Sequence, residues 1–261
     1  MKAIILSAGQ GRRLLPLTTN LPKCLVTVQG KSLLEWQIGE LHKCGIEQIT
    51  VVTGYRRDKV DELLSGQPRL QRVQAKYNPE YDTADNLVSC WSVRDEMAED
   101  FVLLNGDTLF EAPVLKRLLA SPGAPITVTI NQKEHYDDDD MKVSLAGSRL
   151  VRIGKKLSPS QTQGESIGMI LFRGQGPEIF KSELVEARSD PRVSGRWYLS
   201  VIDTIARKRE VQTCCITGLL WCEVDCPADL QDATRVVAGF GASPLSGAGS
   251  GAARLSADAT V

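Results

Sequence analysis

Short apolar runs alternate with segments of helical spacing along the first half of the chain. Residues 3–6 are apolar throughout, which is typical of a buried strand. Residues 33–44 have apolar positions at helical spacing and end at Gly45, and residues 48–53 are rich in β-branched side chains. This strand–helix–strand order predicts an α/β protein with three layers, a mostly parallel or mixed sheet with helices on both faces.

Predicted strands and helices continue to residue 240, although the second half changes rhythm and begins with four short strands in succession. Residues 59–65 and 84–97 are predicted helices, and 72–77 and 101–104 are predicted strands. In the second half the predicted strands are 126–131, 142–145, 150–153, 166–172, 212–216 and 221–224, with a turn at 147–148, and the predicted helices are 177–188, 199–206 and 228–237. We therefore expect a single domain at 1–240, built from two halves at about 1–120 and 121–240. Residues 241–261, rich in Gly, Ala and Ser, are expected to be a disordered tail or linker.

Composition narrows the class of protein. The 261 residues are 42% hydrophobic, enough to bury a sizeable core, and no apolar run is long enough to span a membrane. The net charge of −1 gives no basic stripe for nucleic acid. Seven cysteines, an odd number, suit a reducing cytoplasm better than a disulfide framework. Cys222 and Cys226 have a C-x3-C spacing, but a zinc site is disfavoured because no second clean pair and no histidine lie close by in sequence.

The loop after the first strand is suited to binding phosphate groups. Small residues let the backbone curl closely around a polyanion and present successive amides to it; they are Ser7, Ala8, Gly9 and Gly11. Arg12 and Arg13 follow at once, and Lys23 comes after the rigid Pro22. We expect these three cations to converge on one polyanion, with Arg13 and Lys23 as catalytic residues.

Two better-known glycine loops fit less well. A P-loop needs Gly-Lys-Ser/Thr, whereas Arg-Arg follows Gly11 and no hydroxyl is placed for Mg²⁺. A dinucleotide-binding fingerprint needs a third small residue where Leu14 stands, although Glu35 lies near the position of its ribose-binding acid. The dinucleotide alternative therefore stays open but is disfavoured.

The segments SAGQGRRLLPLT and LPKCLVTVQGKSLLEWQI resemble the signature of nucleotidyltransferases that activate sugar phosphates and alcohol phosphates, AGxGxRLxPLT with a downstream PK. Within that superfamily, YDTADNLVSCW, LNGDTLF, GESIGMILF and LLWCEVDCPADL resemble the branch that transfers CMP to phosphocholine, 2-aminoethylphosphonate and similar small acceptors. The resemblance covers about residues 1–235. It implies a Rossmann-like nucleotidyltransferase fold and CTP as the nucleotide. We accordingly expect the half at about 1–120 to bind the nucleotide and the half at about 121–240 to bind the acceptor.

Three acidic residues are candidates for a Mg²⁺ site. Asp107 follows an apolar strand, at the sheet edge where α/β proteins bind ligands, and carboxylate oxygen suits Mg²⁺. Glu223 and Asp225 are two residues apart on a predicted strand and would share a face. The resemblance implies that Asp225 is the second ligand and that Glu223 supports it. Taken singly, Asp107 could equally belong to an ordinary turn, and Glu223 and Asp225 to a solvent-exposed face of a strand.

The residues for the base and the acceptor are less specific. Asn86 and Ser89, at the start of a helix, are expected to contact the pyrimidine, while Thr83 or Asp85 could merely cap that helix. Lys142 is expected to hold the acceptor phosphate. The other predicted acceptor residues, which form an acidic and aromatic box suited to an ammonium group, are Asp140, Glu165, Trp197 and Tyr198. The neighbouring Asp137 and Asp138 are more simply read as a solvated loop.

Three functions remain from these patterns. The first is transfer of CMP from CTP to a small phospho-alcohol or phosphonate with release of pyrophosphate, which needs no general base because the attacking oxygen is already ionised. The second keeps the chemistry and uses a sugar or inositol 1-phosphate. The third is a silent nucleotide sensor, which would be expected to lack Lys23, Asp107 or Asp225. A homodimer is compatible with the apolar spacing of the predicted helices at 199–206 and 228–237.

Overall fold

The computed structural model describes residues 1–190 and 195–241. The strands are β1 (Lys2–Ser7), β2 (Thr27–Val28), β3 (Lys31–Ser32), β4 (Ile49–Thr53), β5 (Val73–Tyr77), β6 (Phe101–Asn105), β7 (Thr108–Phe110), β8 (Ile126–Asn131), β9 (Lys142–Ala146), β10 (Arg149–Ile153), β11 (Gly164–Phe172), β12 (Gln212–Cys215) and β13 (Trp221–Glu223). The helices are α1 (Leu33–Lys43), α2 (Arg57–Ser65), α3 (Asn86–Ser92), α4 (Ala112–Leu119), α5 (Gly176–Arg188), α6 (Leu199–Lys208) and α7 (Asp229–Ala238).

Nine strands form one mixed sheet in the order β5-β4-β1-β6-β11-β8-β12-β10-β9. The first four are parallel, and β11 joins them by pairing antiparallel with β6. Alternation along β1 sends Ile4 to one face of the sheet and Ile5 to the other. Helices α3, α5 and α6 cover the first face, and α1, α2 and α4 cover the second. This confirms the predicted three-layer α/β fold.

The two predicted halves share this sheet. Phe101 on β6 stacks on Phe172 of β11 with ring centroids 4.5 Å apart, and Phe172 contacts Phe180 of α5 at 4.7 Å. All three rings are fully buried. Residues 1–120 and 121–240, the two predicted halves, are therefore joined through a common hydrophobic core.

Several predicted elements differ from the structure. The helix predicted at 84–97 is the shorter α3, because the chain leaves the helix at Val93 and Arg94 turns back onto the Trp91 ring, 4.2 Å from its centroid. Strand β7 and helix α4 were missed altogether. Three residues are too few for β7 to show a periodicity, and β7 pairs with the distant β13 instead of joining the large sheet.

The ends of the parallel strands form the edge that carries the site. The amide of Gly106, just after β6, donates to the Leu6 carbonyl of β1 at 2.9 Å. A Cβ at Gly106 would lie 2.5 Å from that carbonyl oxygen, so this close approach requires glycine. The loops after β1 and β6 are thereby held side by side.

Two further expectations concern the ends and the surface of the chain. The predicted tail at 241–261 lies, apart from residue 241, outside the described residues. Among the helices of ranges 1–190 and 195–241, none has the length and apolar character needed to cross a membrane.

Candidate active site

A cavity of about 300 Å³ opens at the carboxyl ends of β1 and β6. Its lining combines the glycine-rich loop, the start of α3 and the turn after β6. The lining residues are Leu6, Ser7, Ala8, Gly9, Gly11, Lys23, Cys24, Tyr81, Ala84, Asp85, Asn86, Ser89, Asn105, Gly106 and Asp107. The structure thus brings together eight of the predicted site residues on one wall or another of this cavity: Ser7, Ala8, Gly9, Gly11, Lys23, Asn86, Ser89 and Asp107.

The glycine-rich loop owes its shape to Gly11. This residue has φ of +72°, and a Cβ there would lie 2.9 to 3.1 Å from the carbons of the Lys23 side chain. The Thr18 hydroxyl donates to the Gly11 carbonyl at 2.9 Å and fixes the turn. Glycine is therefore needed both for the backbone conformation and for the path of Lys23 into the cavity.

Lys23 lies between two carboxylates. Its Nζ is 2.7 Å from Oδ2 of Asp107 and 2.6 Å from Oδ1 of Asp225. Nη2 of Arg13 reaches the same Asp225 oxygen at 3.0 Å. Burial by itself would lower the pKa of Lys23, but the charges and hydrogen bonds of Asp107 and Asp225 outweigh it and raise that pKa. Lys23 is consequently a permanent cation at the centre of the site.

Asp225 reaches this position through the small β7–β13 ladder. The amide of Val224 donates to the Asp107 carbonyl at 3.1 Å, which brings the segment after β13 against the turn after β6. Oδ2 of Asp229 accepts from the amides of Asp225 and Cys226 at 2.7 and 2.8 Å. Because β13 ends at Glu223, the expectation that Glu223 and Asp225 share one face of a strand is wrong. Asp225 is directed by the turn that precedes α7.

Asp107 and Asp225 are the residues that fit a divalent cation. Oδ1 of Asp107 is buried and has no hydrogen-bond partner among the described residues, so this oxygen is available to a metal. In the described part of the chain no group of three or more His, Cys, Asp or Glu side chains has metal-site geometry. Mg²⁺ commonly takes one or two carboxylates and completes its shell with substrate phosphates and water. The donor set therefore fits Mg²⁺ bound together with a nucleotide, and this role and that of Glu223 stay predictions.

Asn86 and Ser89 already accept hydrogen bonds, Asn86 from a backbone amide and Ser89 from a side chain. Oδ1 of Asn86 accepts from the Tyr198 amide at 3.0 Å, and Oγ of Ser89 accepts from Asn78 at 3.1 Å. These bonds leave the Asn86 amide nitrogen to face a ligand. Arg12, in contrast, is exposed and does not line the cavity.

Sequence reasoning missed Asn105. It lies at the end of β6, lines the cavity, and accepts from the Tyr198 hydroxyl at 3.1 Å. A Cβ at Gly168, which has φ of +70°, would lie 2.3 Å from the Asn105 amide nitrogen, so Gly168 makes room for this side chain. A polar residue directly after the apolar run at 101–104 was the signal that could have found it.

Two of the predicted acceptor residues, Tyr198 and Lys142, are buried and bonded to other parts of the chain. Tyr198 is completely buried, so its ring offers no surface to an acceptor, and it supports Asn86 and Asn105 instead. Lys142 is also buried, and its Nζ donates to the backbone carbonyls of Asp137 and Lys155. Direct contact of Tyr198 with an acceptor was therefore the wrong expectation, and Lys142 holds two loops together.

The predicted acidic and aromatic box contains two lysines that the sequence analysis missed. Nζ of Lys133 is 2.7 Å from Oδ2 of Asp140 and 2.9 Å from Oε2 of Glu165, and both carboxylates are buried. Nζ of Lys155 lies 4.4 Å from the centre of the Trp197 ring. The chain's own ammonium groups thus stand where an acceptor ammonium was expected. No local pattern around residues 133 or 155 indicated these contacts.

Comparisons with known proteins agree with this geometry. A family model described as nucleotidyl transferase matches residues 2–139, just over half of the chain. A CMP-5'-(3-aminopropyl)phosphonate synthase of Streptomyces rubellomurinus is 29% identical over 89% of this chain and 38% of its own length. A choline-phosphate cytidylyltransferase of Streptococcus pneumoniae is 39% identical over 42% of this chain and 47% of its own length. The chain therefore spans less than half of each of these two relatives.

Two solved structures share the fold. One is a CTP:phosphocholine cytidylyltransferase of Streptococcus pneumoniae, with a TM-score of 0.74 and 23% identity, covering 90% of this chain and 98% of that one. The other is an inositol-1-phosphate CTP transferase of T. maritima, with a TM-score of 0.75 and 22% identity, covering 91% and 94%. At these identities the likeness concerns the fold.

Proposed function

Because this chain belongs to the nucleotidyl transferase family and is a nucleotidyltransferase, we propose that it transfers CMP from CTP to a small phosphorylated alcohol or phosphonate and releases pyrophosphate. The observation that carries the proposal is the convergence of Lys23, Asp107 and Asp225 beside the glycine-rich loop. The relatives named for CMP and choline phosphate support the nucleotide and the acceptor class.

In the proposed reaction an oxygen of the acceptor phosphate or phosphonate attacks the α-phosphorus of CTP. The new bond forms to that phosphorus, the bond to the oxygen bridging the α- and β-phosphorus breaks, and pyrophosphate leaves with the bridging oxygen. The attacking oxygen is already ionised at neutral pH, so no general base is needed. Positioning and charge stabilisation therefore account for most of the rate enhancement.

The residues divide this work between them. Loop amides at 7–11 are suited to the triphosphate, and the Asn86 amide to the edge of the base. Arg13 and Lys23 would stabilise the charge that develops on pyrophosphate, after exchanging Asp225 for phosphate oxygens. Asp107 and Asp225 would hold Mg²⁺, which supplies neutralisation of the phosphate oxygens when bound.

The test is pyrophosphate release with Mg²⁺, crossing CTP, UTP, dTTP, GTP and ATP against a panel of acceptors. The panel contains phosphocholine, 2-aminoethylphosphonate, 2-hydroxyethylphosphonate, inositol 1-phosphate and glucose 1-phosphate. We expect release with CTP and a small phospho-alcohol or phosphonate. Release only with another nucleotide, or only with glucose 1-phosphate or inositol 1-phosphate, would overturn the proposal.

A variant pair tests the site within the same assay. Asp107→Asn keeps the size of the side chain but removes its charge, and we expect kcat to fall by about a hundredfold or more. Asp58→Asn is the matched control, because Asp58 is an exposed carboxylate in the first turn of α2 and pairs with Arg56, which precedes that helix. A normal rate in Asp107→Asn would remove Asp107 from the proposed machinery.

A further inference from the structure

Two lysine ammonium groups occupy the surfaces where the sequence predicts a cationic acceptor to bind. These surfaces are the carboxylate pair Asp140 and Glu165, and the ring of Trp197. If the protein has the proposed function, an acceptor with a positively charged end must compete with these lysines for the same surfaces.

Lys133 makes the contacts that an alkylammonium ligand would make. Its Nζ bridges Asp140 and Glu165 at 2.7 and 2.9 Å and lies 5.7 Å from the centre of the Tyr136 ring. The side chains of Asp140 and Glu165 are 5% and 7% exposed, whereas the Lys133 side chain is 22% exposed and lies at the surface end of the cluster. Lys133 therefore covers the carboxylates, and a ligand reaches them only by replacing it.

The charge state of the cluster favours this arrangement. Burial would lower the pKa of Lys133, but its hydrogen bonds to Asp140 and Glu165 outweigh that effect and raise it. Burial raises the pKa of Glu165, while Lys133 and the Asp137 amide hold that of Asp140 below its ordinary value despite burial. An ionised Asp140 thus faces a protonated Lys133 throughout the neutral range.

Lys155 is an independent second case. Its Nζ lies 4.4 Å from the centre of the Trp197 ring and 3.1 Å from Oδ1 of Asp139. An ammonium over an indole face is the contact that recognises quaternary amines. This aromatic surface, like the carboxylate pair, already carries a cation of the chain.

A chain of ion pairs links Lys155 to the transfer centre, and Lys133 pairs with Asp140, the neighbour of Asp139 in that chain. Asp139 pairs with Lys155 through one oxygen and with Nη1 of Arg13 through the other, at 3.1 and 3.2 Å. Nη2 of the same Arg13 contacts Asp225. Residues 137–140 therefore connect the lysines to the site of phosphate chemistry, and an acceptor held there would have its far end near them.

We propose that Lys133 and Lys155 determine acceptor specificity by excluding a cationic far end, so that the acceptor is a small phosphate or phosphonate with no positively charged group. A free ammonium competes poorly with one that is tethered in place and has a high effective concentration. If it does not displace the lysine, it must lie beside a like charge. This chain would then differ from the relative named for an aminopropylphosphonate product.

Two phosphonates of the same chain length test the exclusion. In 2-hydroxyethylphosphonate a hydroxyl stands where 2-aminoethylphosphonate has its ammonium, and the two compounds otherwise match. We expect kcat/KM for the hydroxyl compound to exceed that for the amine by about tenfold or more, the effect of one like-charge contact. Equal values, or a preference for the amine, would overturn the proposal.

Variants assign that preference to the lysines. Lys133→Met and Lys155→Met keep an unbranched side chain and remove the charge, and we expect each to reduce the preference for the hydroxyl compound, with the double variant accepting the amine at least equally. Lys208→Met is the control, because Lys208, the last residue of α6, is an exposed lysine that pairs with Glu183 of α5. If the ratio of kcat/KM for the hydroxyl compound to that for the amine stays constant in both lysine variants, with or without loss of overall rate, the role of the lysines is contradicted.

A binding measurement separates this inference from the proposed reaction. Lys133→Ala should have a lower melting temperature, and n-butylammonium chloride should restore part of the loss where sodium chloride at equal ionic strength does not. If no acceptor of the panel supports pyrophosphate release with CTP, the proposed function fails, and calorimetric titration of the two phosphonates into the wild type and Lys133→Met still tests the exclusion. The exclusion would be overturned if n-butylammonium did not restore the melting temperature of Lys133→Ala and if Lys133→Met bound the two phosphonates with the same preference as the wild type.

Discussion

At the scale of single residues, the site is a balance of charges held in a small space. Asp107 and Asp225 contribute two negative charges, and Lys23 and Arg13 contribute two positive ones within 3.0 Å of them. Burial raises the pKa of the Cys24 thiol beside them to about 12, so that Cys24 adds no charge at neutral pH. The carboxylates are thus neutralised by the chain itself, and a metal must exchange with Lys23 to reach the same oxygens.

This exchange predicts a gain of metal affinity on removing a lysine. In Lys23→Met, without nucleotide, we expect Mn²⁺ to bind about tenfold more tightly, since the competing ammonium is gone while both carboxylates remain. Electron paramagnetic resonance of free Mn²⁺ measures the affinity without turnover. Lys2→Met is the matched control, because Lys2 is a half-buried lysine paired with Glu96 far from the site. Unchanged or weaker Mn²⁺ binding in Lys23→Met would contradict the competition.

At the scale of elements, helix α6 is fixed to strand β10 by one buried carboxylate. Oδ1 of Asp203 accepts from Nε of Arg152 at 2.9 Å and from the Ile153 amide at 3.0 Å, and Oδ2 accepts from Arg207 at 2.6 Å. Burial would raise the pKa of Asp203, but these donors outweigh it and hold that pKa below its ordinary value. The anchor matters to the site because α6 begins directly after Tyr198.

The pKa of Asp203 predicts a pH-dependent stability. A carboxylate with a depressed folded-state pKa stabilises the fold above its unfolded pKa of about 3.9, and this stabilisation is lost as the pH falls through the folded value. We expect Asp203→Asn to lower the free energy of unfolding by about 2 kcal/mol at pH 7, and the difference from the wild type to shrink below about pH 4.

Urea unfolding in steps from pH 7 to strong acid measures this difference. Glu178→Gln is the control, because Glu178 is an exposed partner of Lys181 and should change the free energy little. A gap between wild type and Asp203→Asn that stays constant into acid would show that the ionised carboxylate is not the anchor.

At the scale of the whole molecule, the sheet and the site both depend on residues from the two ends of the chain. Strand β6 pairs with β1 on one side and with β11 on the other, and β13 returns to β7 to deliver Asp225. The parallel strands that carry the glycine-rich loop therefore have an uncovered edge without the second half. A cytoplasmic location and a homodimer, both expected from the sequence, stay predictions.

A fragment tests this dependence. Residues 1–123 contain the four adjacent parallel strands β1, β4, β5 and β6, yet they lack β11, the Phe172 ring that stacks on Phe101 and the Phe180 ring that packs on Phe172. We expect the isolated fragment to show no cooperative thermal transition by circular dichroism, whereas the full chain unfolds in one transition. A sharp transition in the fragment would make the two halves independent folding units.

The fold class was predictable because local patterns of apolar residues determine it. Apolar runs at β1, β4 and β6, and helical spacing at α1, give the parallel part of the sheet, and the strand-end rule places Asp107 at the ligand-binding edge. The glycine-rich loop was recognisable for the same reason, since its amides and cations lie within a few residues of each other.

What only the tertiary structure decided are contacts between residues far apart in sequence. Lys23 lies 84 residues from Asp107 and 202 from Asp225, and no spacing rule predicts that the lysine would separate the two carboxylates. Contacts between distant residues also determine the pairing of β7 with β13, the burial of Tyr198 and the position of Lys133 between Asp140 and Glu165. Sequence determines which groups are available and which local conformations they take, whereas packing determines which charges meet, and this chain's chemistry depends on those meetings.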